Sequence, residues 1–278
     1  LSVACAACLK SLHAAGHIQC SERSTSVLHI LRGGLNFGLR EALGGAFAWN
    51  AHGASFLSAQ RERLPESPTE WRIVEDSYQK VYLEEVQTVV FGDVVATGTS
   101  LEHALQALLE HVVDQKAPLR EIVFFTIGGN RSTTLLKEYG EKFRSAVGSF
   151  ESCSVIDLEG IFAVPDTTTP LRIKIDGTDL LRRDSILAPE FVESQYEKPQ
   201  YALERCTIYD AGSRAFHIPE YLEDLREYWE AIAQHAASGV GYAELVEERM
   251  PELDLERLGR HDLYEIAQLQ LARITQNS

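Results

Sequence analysis

Between Val89 and Ser100 the chain reads VVFGDVVATGTS, and this run constrains the fold more than any other. Val89, Val90 and Phe91 are residues of a buried strand, Asp93 ends it, and Ala96-Thr97-Gly98-Thr99-Ser100 is a tight loop of small and hydroxylic residues. Apolar residues then recur at Leu101, Ala104, Leu105, Leu108, Leu109 and Val112, the spacing of a helix with one buried face. The first turn of such a helix has unpaired N–H groups and the positive end of a dipole, so a tight loop feeding into it can cradle an anion. The hydroxyls of Thr97, Thr99 and Ser100 add donors, and Asp93 is placed to accept from sugar hydroxyls. The run therefore predicts a ligand with a ribose and a terminal phosphate. Taken alone, it is also accounted for by a plain strand-turn-helix corner, with Gly98 in a left-handed turn and a Thr or Ser capping the helix.

The same alternation extends along the chain. A first helix is expected over Val3 to Ala15, a strand at Val27-Leu28-His29-Ile30-Leu31 ending in Arg32-Gly33-Gly34, a second helix to about Leu43, and a short strand from Ala46 to Trp49. Apolar periodicity stops from Gly53 to Thr69, where Gln60 to Pro68 is a polar, proline-bearing stretch expected to be mobile, and Ile73 to Val81 reads as the second arm of a long hairpin. Strands at Val86 to Asp93, Ile122 to Ile127 and Ser154 to Leu158 then alternate with helices, including Ser132 to Tyr139. That pattern predicts an α/β fold, a mostly parallel sheet covered on both faces. From Pro219 the pattern is helical only, with one apolar stripe at Tyr221, Leu222, Leu225, Trp229 and Ile232 and another at Leu263, Ile266, Ala267, Leu269 and Leu271.

A chain of 278 residues with 45% hydrophobic content can bury a full core. Its net charge of -15 argues against a nucleic-acid or anionic-membrane binder, and no apolar stretch approaches the length of a membrane span. Five cysteines without a dense pattern fit a reducing compartment, so a cytoplasmic protein is expected. Leu1 rather than Met opens the chain, which leaves room for residues upstream. Cys5, Cys8, His13, His17 and Cys20 invite a zinc reading, but on a helix the histidines fall more than a quarter turn from the cysteines, and buried helical cysteines are the simpler account. No GxGxxG follows a strand and no GxxxxGK[ST] is present, so the phosphate loop is of another type.

Three segments carry a family resemblance, in sequence order. The Val89 to Ser100 run resembles the ribose-phosphate signature of type I phosphoribosyltransferases, a hydrophobic strand with two acidic residues and a short Thr/Gly loop; Gly92 replaces the first acid and Asp93 keeps the second. The uracil phosphoribosyltransferases read D-P-M-x-A-T-G-G-S where this chain reads G-D-V-V-A-T-G-T-S. His29-Ile30-Leu31-Arg32-Gly33-Gly34-Leu35 resembles the family's I-L-R-A-G-L loop, and Tyr209-Asp210-Ala211-Gly212-Ser213-Arg214-Ala215-Phe216 resembles its G-D-A-G-D-R-x-F element. The stretch from Ile175 to Pro189 is faintly similar to the segment facing uracil.

The resemblance implies a type I phosphoribosyltransferase-like fold over residues 1–216, with hood elements at about 170–216, and a helical extension over 217–278. It implies phosphoribosyl transfer from phosphoribosyl pyrophosphate to a nucleobase, with release of pyrophosphate, by a homodimer using Mg²⁺. The loop Ala96, Thr97, Gly98, Thr99 and Ser100 would fix the 5′-phosphate and Asp93 the ribose. Arg32, Gly33 and Gly34, aided by Arg61 or Lys80 from the hairpin, would hold pyrophosphate. Asp210, Ala211, Gly212 and Arg214 would close the site, with Asp210 as metal ligand, so that Asp93, Arg32 and Asp210 are the expected catalytic set. Two departures, Gly92 and Ser213, keep open the alternative of a non-catalytic sensor of phosphoribosyl pyrophosphate or a nucleotide.

Overall fold

The computed structural model describes residues 1–31, 37–63, 71–75, 77–207 and 218–276. In the first part of the chain, α1 (Ser2–Ala14) leads to β1 (Thr25–Leu31), α2 (Leu39–Phe47), β2 (Gly53–Ser58), a hairpin of β3 (Gln60–Arg63) and β4 (Trp71–Glu75), and β5 (Gln79–Lys80). There follow β6 (Thr88–Val95), α3 (Thr99–Asp114), β7 (Glu121–Gly129), α4 (Arg131–Ala146) and β8 (Ser152–Ala163). The sheet runs in the order β8-β7-β6-β1-β2-β5. The pairs β1 with β2, β1 with β6 and β6 with β7 are parallel, and β5 is antiparallel to β2. This is the expected α/β fold class, a mostly parallel sheet flanked by helices.

Strand alternation explains why both faces are covered. Val27, Val90, Val123 and Phe125 point to one face and bury Cys5 and Leu9 of α1 with Leu39, Ala42 and Leu43 of α2. Leu28, Val89, Phe91, Ile122 and Phe124 point to the other, against Leu101, Leu105 and Leu108 of α3 and Leu135, Tyr139 and Phe143 of α4. Phe91 and Phe124 are fully buried, each stabilising the unit by about 1.5–3 kcal/mol.

Two sequence expectations are corrected. Ala46 and Phe47 complete α2, and Ala48 turns away with φ of 60°, so no strand forms over Ala46 to Trp49. The strand lies instead at Gly53–Ser58, inside the stretch where apolar periodicity stops. Its polar residues hide it, because Ser55 is 1% exposed and satisfied, facing Ser26 Oγ at 3.3 Å and accepting from the Tyr82 N–H at 3.1 Å.

By its contacts the chain forms two units, one over Leu1–Leu158 and one made of the described residues of 159–207 and 218–276. In the second unit the end of β8 pairs antiparallel with β9 (Asp179–Leu187), which pairs antiparallel with β10 (Cys206–Thr207). Between these lie α5 (Pro189–Ser194) and a 3-10 turn at Tyr201–Leu203. After them come α6 (Ile218–Ala237), α7 (Tyr242–Arg249), α8 (Leu255–Leu258) and α9 (Leu263–Gln276). Ala202 and Leu203 share one core with Tyr228, Trp229 and Ile232 of α6, Leu245 and Val246 of α7, and Ile266 of α9, which is why 159–207 groups with the helices. Leu269, expected on the buried stripe of α9, is 54% exposed; the stripe closes on Ile274 instead. Among the described residues no helix is long and apolar enough to cross a membrane.

Candidate functional site: the β6–α3 cradle

Asp93 stands near the end of β6, 8% exposed, with its Oδ1 accepting from the Val94 N–H at 2.9 Å. The chain then turns through Ala96 and Thr97 to Gly98, whose φ of 82° and ψ of 3° lie in the left-handed region that a side chain disfavours. Gly98 is itself the N-cap, so no side chain caps α3 as the plain-corner account requires. The first helical bond runs from the Glu102 N–H to the Gly98 carbonyl at 2.8 Å, which leaves the N–H groups of Thr99, Ser100 and Leu101 ahead of the helical ladder. The Oγ1 atoms of Thr97 and Thr99 lie 3.3 Å apart, and Ser100 is 2% exposed. Hydroxyls, amides and one carboxylate are thus gathered within eight residues, from Asp93 to Ser100.

The surroundings are packed closely. A Cβ on Gly92 would sit 2.8 Å from the ring of Phe37 and 3.1 Å from the Phe125 carbonyl, so Phe37, 3% exposed, occupies the space a side chain at 92 would need. A side chain at 92, such as the first acid of the signature this run resembles, would therefore require Phe37 to shift. A Cβ on Gly128 would sit 2.2 Å from the Val95 carbonyl oxygen, which shows how near the ends of β6 and β7 come to each other. Asp93 pairs in register with Thr126 of β7 on the α3/α4 face of the sheet. Thr126 is fully buried, and its hydroxyl has no hydrogen-bond partner among the described residues.

Sequence reasoning missed Arg131, the first residue of α4. Its Cγ would lie 2.8 Å, and its Nε 3.6 Å, from a Cβ built on Gly98, and its guanidinium faces the Glu102 carboxylate at 3.6 Å. The available signal was a lone basic residue after Gly128-Gly129-Asn130, at the βα corner beside the Ala96–Ser100 loop.

Lys80 is exposed on β5, with its ammonium 5.7 Å from the centre of the Tyr82 ring. Three strand spacings separate β5 from β6, roughly 14 Å, so Lys80 is not brought to Asp93. Arg61 lies on the backbone of β3, while Arg32, Gly33, Gly34, Asp210, Ala211, Gly212 and Arg214 lie outside the described residues. On α1, Cys5 is buried and its thiol pushed up to about 11 by burial; Cys20 behaves likewise. Among the described residues no group of three or more His, Cys, Asp or Glu is gathered to hold a metal.

The first unit is thus an α/β sheet with a hydroxyl-rich βα corner, a candidate anion site. No family model matches the chain, and no curated protein matches it. Among solved structures it is similar to a hypoxanthine phosphoribosyltransferase from Staphylococcus aureus, at 18% identity and a TM-score of 0.31, over 46% of this chain and 64% of that one. It is also similar to a hypoxanthine-guanine phosphoribosyltransferase from Bacillus anthracis (17% identity, TM-score 0.29, 46% and 70% covered). A third is the Trypanosoma cruzi hypoxanthine phosphoribosyltransferase (13% identity, TM-score 0.28, 68% and 90% covered). The chain spans less than two thirds of the Staphylococcus aureus protein, and likenesses at these scores define neither a family nor an activity for it.

Proposed function

We propose that the chain is a phosphoribosyltransferase-type protein whose β6–α3 cradle binds the ribose 5-phosphate half of phosphoribosyl pyrophosphate. The observation that carries this reading is the cradle itself: left-handed Gly98 at the N-cap, three N–H groups ahead of the helical ladder, the Thr97 and Thr99 hydroxyls, and one buried carboxylate at Asp93. The loop orients the phosphate and Asp93 accepts from the ribose hydroxyls. Arg32, with the Gly33 and Gly34 amides, takes the pyrophosphate, and Asp210 and Arg214 close the site. In this reaction the C1–pyrophosphate bond of the sugar breaks as a ring nitrogen of a nucleobase, uracil-like by the loop's wording, attacks the opposite face. The nitrogen's proton leaves to solvent or to a carboxylate. Such chemistry asks the protein for positioning and charge stabilisation.

Mg²⁺ belongs to the same proposal. It takes oxygen donors and is commonly held by one or two carboxylates together with substrate phosphates; Asp210, outside the described residues, is the carboxylate the resemblance offers it, and Asp93 is the one the β6–α3 corner presents. The bound ion would neutralise the departing pyrophosphate. A cytoplasmic homodimer completes the reading.

A specific observation favours a second reading. Phe37 closing over Gly92 leaves the cradle one carboxylate short, which suits a sensor that binds phosphoribosyl pyrophosphate without turning it over. Incubation with phosphoribosyl pyrophosphate, Mg²⁺ and a nucleobase panel separates the two, by pyrophosphate release and thermal stabilisation. Release supports the enzyme; stabilisation without release leaves the sensor. No stabilisation, or an unchanged response in Asp93→Asn and Thr97→Ala, removes both.

A further inference from the structure

An anion at the β6–α3 corner meets an electrostatic problem. The loop from Ala96 to Ser100 holds no lysine or arginine, the chain carries a net charge of -15, and Glu102 in the first turn of α3 adds a carboxylate near the mouth. A phosphomonoester approaches a charge of -2 above its second proton loss near pH 6. Amides and hydroxyls orient such a group but do not neutralise it.

Arg131 is placed to do so. It reaches across from the neighbouring βα corner, with its stem against Gly98. Its guanidinium lies 3.6 Å from Glu102, longer than a charge-assisted hydrogen bond, in a pair whose side chains are 40% and 50% exposed. A pair this open is screened by solvent and exchanges readily for a better acceptor. The planar guanidinium suits the bidentate grip that phosphate oxygens allow. The two corners are also built against each other. Gly128 closes on Val95, and the fully buried Thr126 hydroxyl beside Asp93 has no partner among the described residues, a polar group left over on the same face.

We infer that Arg131 is the phosphate-neutralising residue of the cradle, held by Glu102 until a phosphomonoester dianion takes that carboxylate's place. The inference rests on the ribose-phosphate reading of the loop. It assigns to α4 a ligand contact, and to Glu102 the role of an internal competitor.

Calorimetric titration with ribose 5-phosphate tests it in the wild type and in Arg131→Gln, Arg131→Lys, Glu102→Gln and Thr97→Ala. Arg131→Gln is expected to weaken binding about ten- to a hundred-fold, the span of one charge-assisted contact. It should also flatten the rise in affinity between pH 5 and 7 that follows the dianion. Arg131→Lys recovers part of the loss, and Glu102→Gln tightens binding about two- to five-fold, as removal of a weak competing pair requires. Wild-type affinity and pH slope in Arg131→Gln, with weakening in Thr97→Ala, overturn the inference and leave the loop reading standing. No binding by the wild type overturns both. Where Arg131→Gln unfolds, Glu102→Gln decides, and unchanged or weaker binding there overturns the inference.

Discussion

Gly128→Ala is the substitution whose cost follows most directly from the backbone. Gly128 pairs with Val95 at the ends of β7 and β6, and its φ is not positive, so a side chain is excluded by proximity and not by conformation. A methyl carbon there would sit 2.2 Å from the Val95 carbonyl oxygen and 3.0 Å from the Val95 carbonyl carbon and amide nitrogen. An ordinary carbon-oxygen contact is about 3.3 Å, so one strand must retreat by roughly 1 Å. The neighbours are backbone, which cannot rotate aside as a side chain would. Overpacking costs about 1–3 kcal/mol, and stretching one or two ladder bonds adds about 1 kcal/mol each. A loss of about 3 kcal/mol should lower the melting temperature by about 5 °C in a protein of this size. Thermal and urea unfolding followed by circular dichroism measure it, with Gly148→Ala as control. Gly148 is exposed and a Cβ there meets nothing within 4 Å, so the control should stay within about 0.5 kcal/mol of wild type. If Gly128→Ala melts within about 2 °C of wild type, the strand ends are not this close, and the two-corner geometry fails with them.

Gly92→Asp, which writes the family's first acid back into the loop, should destabilise by about 2 kcal/mol through its clash with Phe37, and Phe37→Ala in the same chain should relieve the clash; an unchanged melting temperature in the single variant refutes this. His29 has its pKa lowered by burial and then by Arg40, with Glu41 opposing and His52 adding to the effect. Its stabilising neutral form is fully present above the unfolded value near 6.5 and is lost as pH falls below that toward the folded value, so His29→Phe, which keeps the stack on Phe56, should reduce the fall in melting temperature between pH 7 and 5. In the second unit, Asp179 is 1% exposed, accepts from the Ile175 N–H at 2.7 Å, and lies 3.5 Å from Arg205 Nε. Asp179→Ala should cost about 3 kcal/mol by taking one carboxylate from that buried cation, which also faces Asp224, and an effect below 1 kcal/mol in urea titration counts against it.

What was legible in the sequence is what short-range chemistry dictates. Val89 to Ser100 announces its strand, turn and helix because a β-branched run, a left-handed glycine and a 3.6-residue apolar period are each local signals. The strand at Gly53–Ser58 was hidden because its buried Ser55 is satisfied by Ser26 and Tyr82, partners 27 to 29 residues away in the chain. Leu269 was misplaced because a stripe read by periodicity does not reveal which edge of α9 its neighbours cover. Arg131 was missed for a similar reason. Its place beside Gly98 depends on β6 and β7 being parallel neighbours whose ends nearly touch, and no spacing between residues 98 and 131 encodes that.

The contact of Phe37 with Gly92 bears on how binding and turnover are related in the proposed reading. Phosphate affinity comes from amides, hydroxyls and a cation whose geometry does not depend on residue 92, since Gly92 lies on the α1/α2 face of the sheet and Asp93 on the other. Rate acceleration instead needs groups that interact more strongly with the transition state than with the bound sugar. A second acid at position 92 would be one further charge at the strand end, and its space here holds an apolar ring that is 3% exposed. Filling that space with Phe37 favours the folded state at the expense of a charge the chemistry would use. Ground-state affinity can therefore remain high while any acceleration rests on Asp93 and on residues outside the cradle. For this chain, tight binding of ribose 5-phosphate is evidence for the cradle but not for catalysis, and the two must be measured separately.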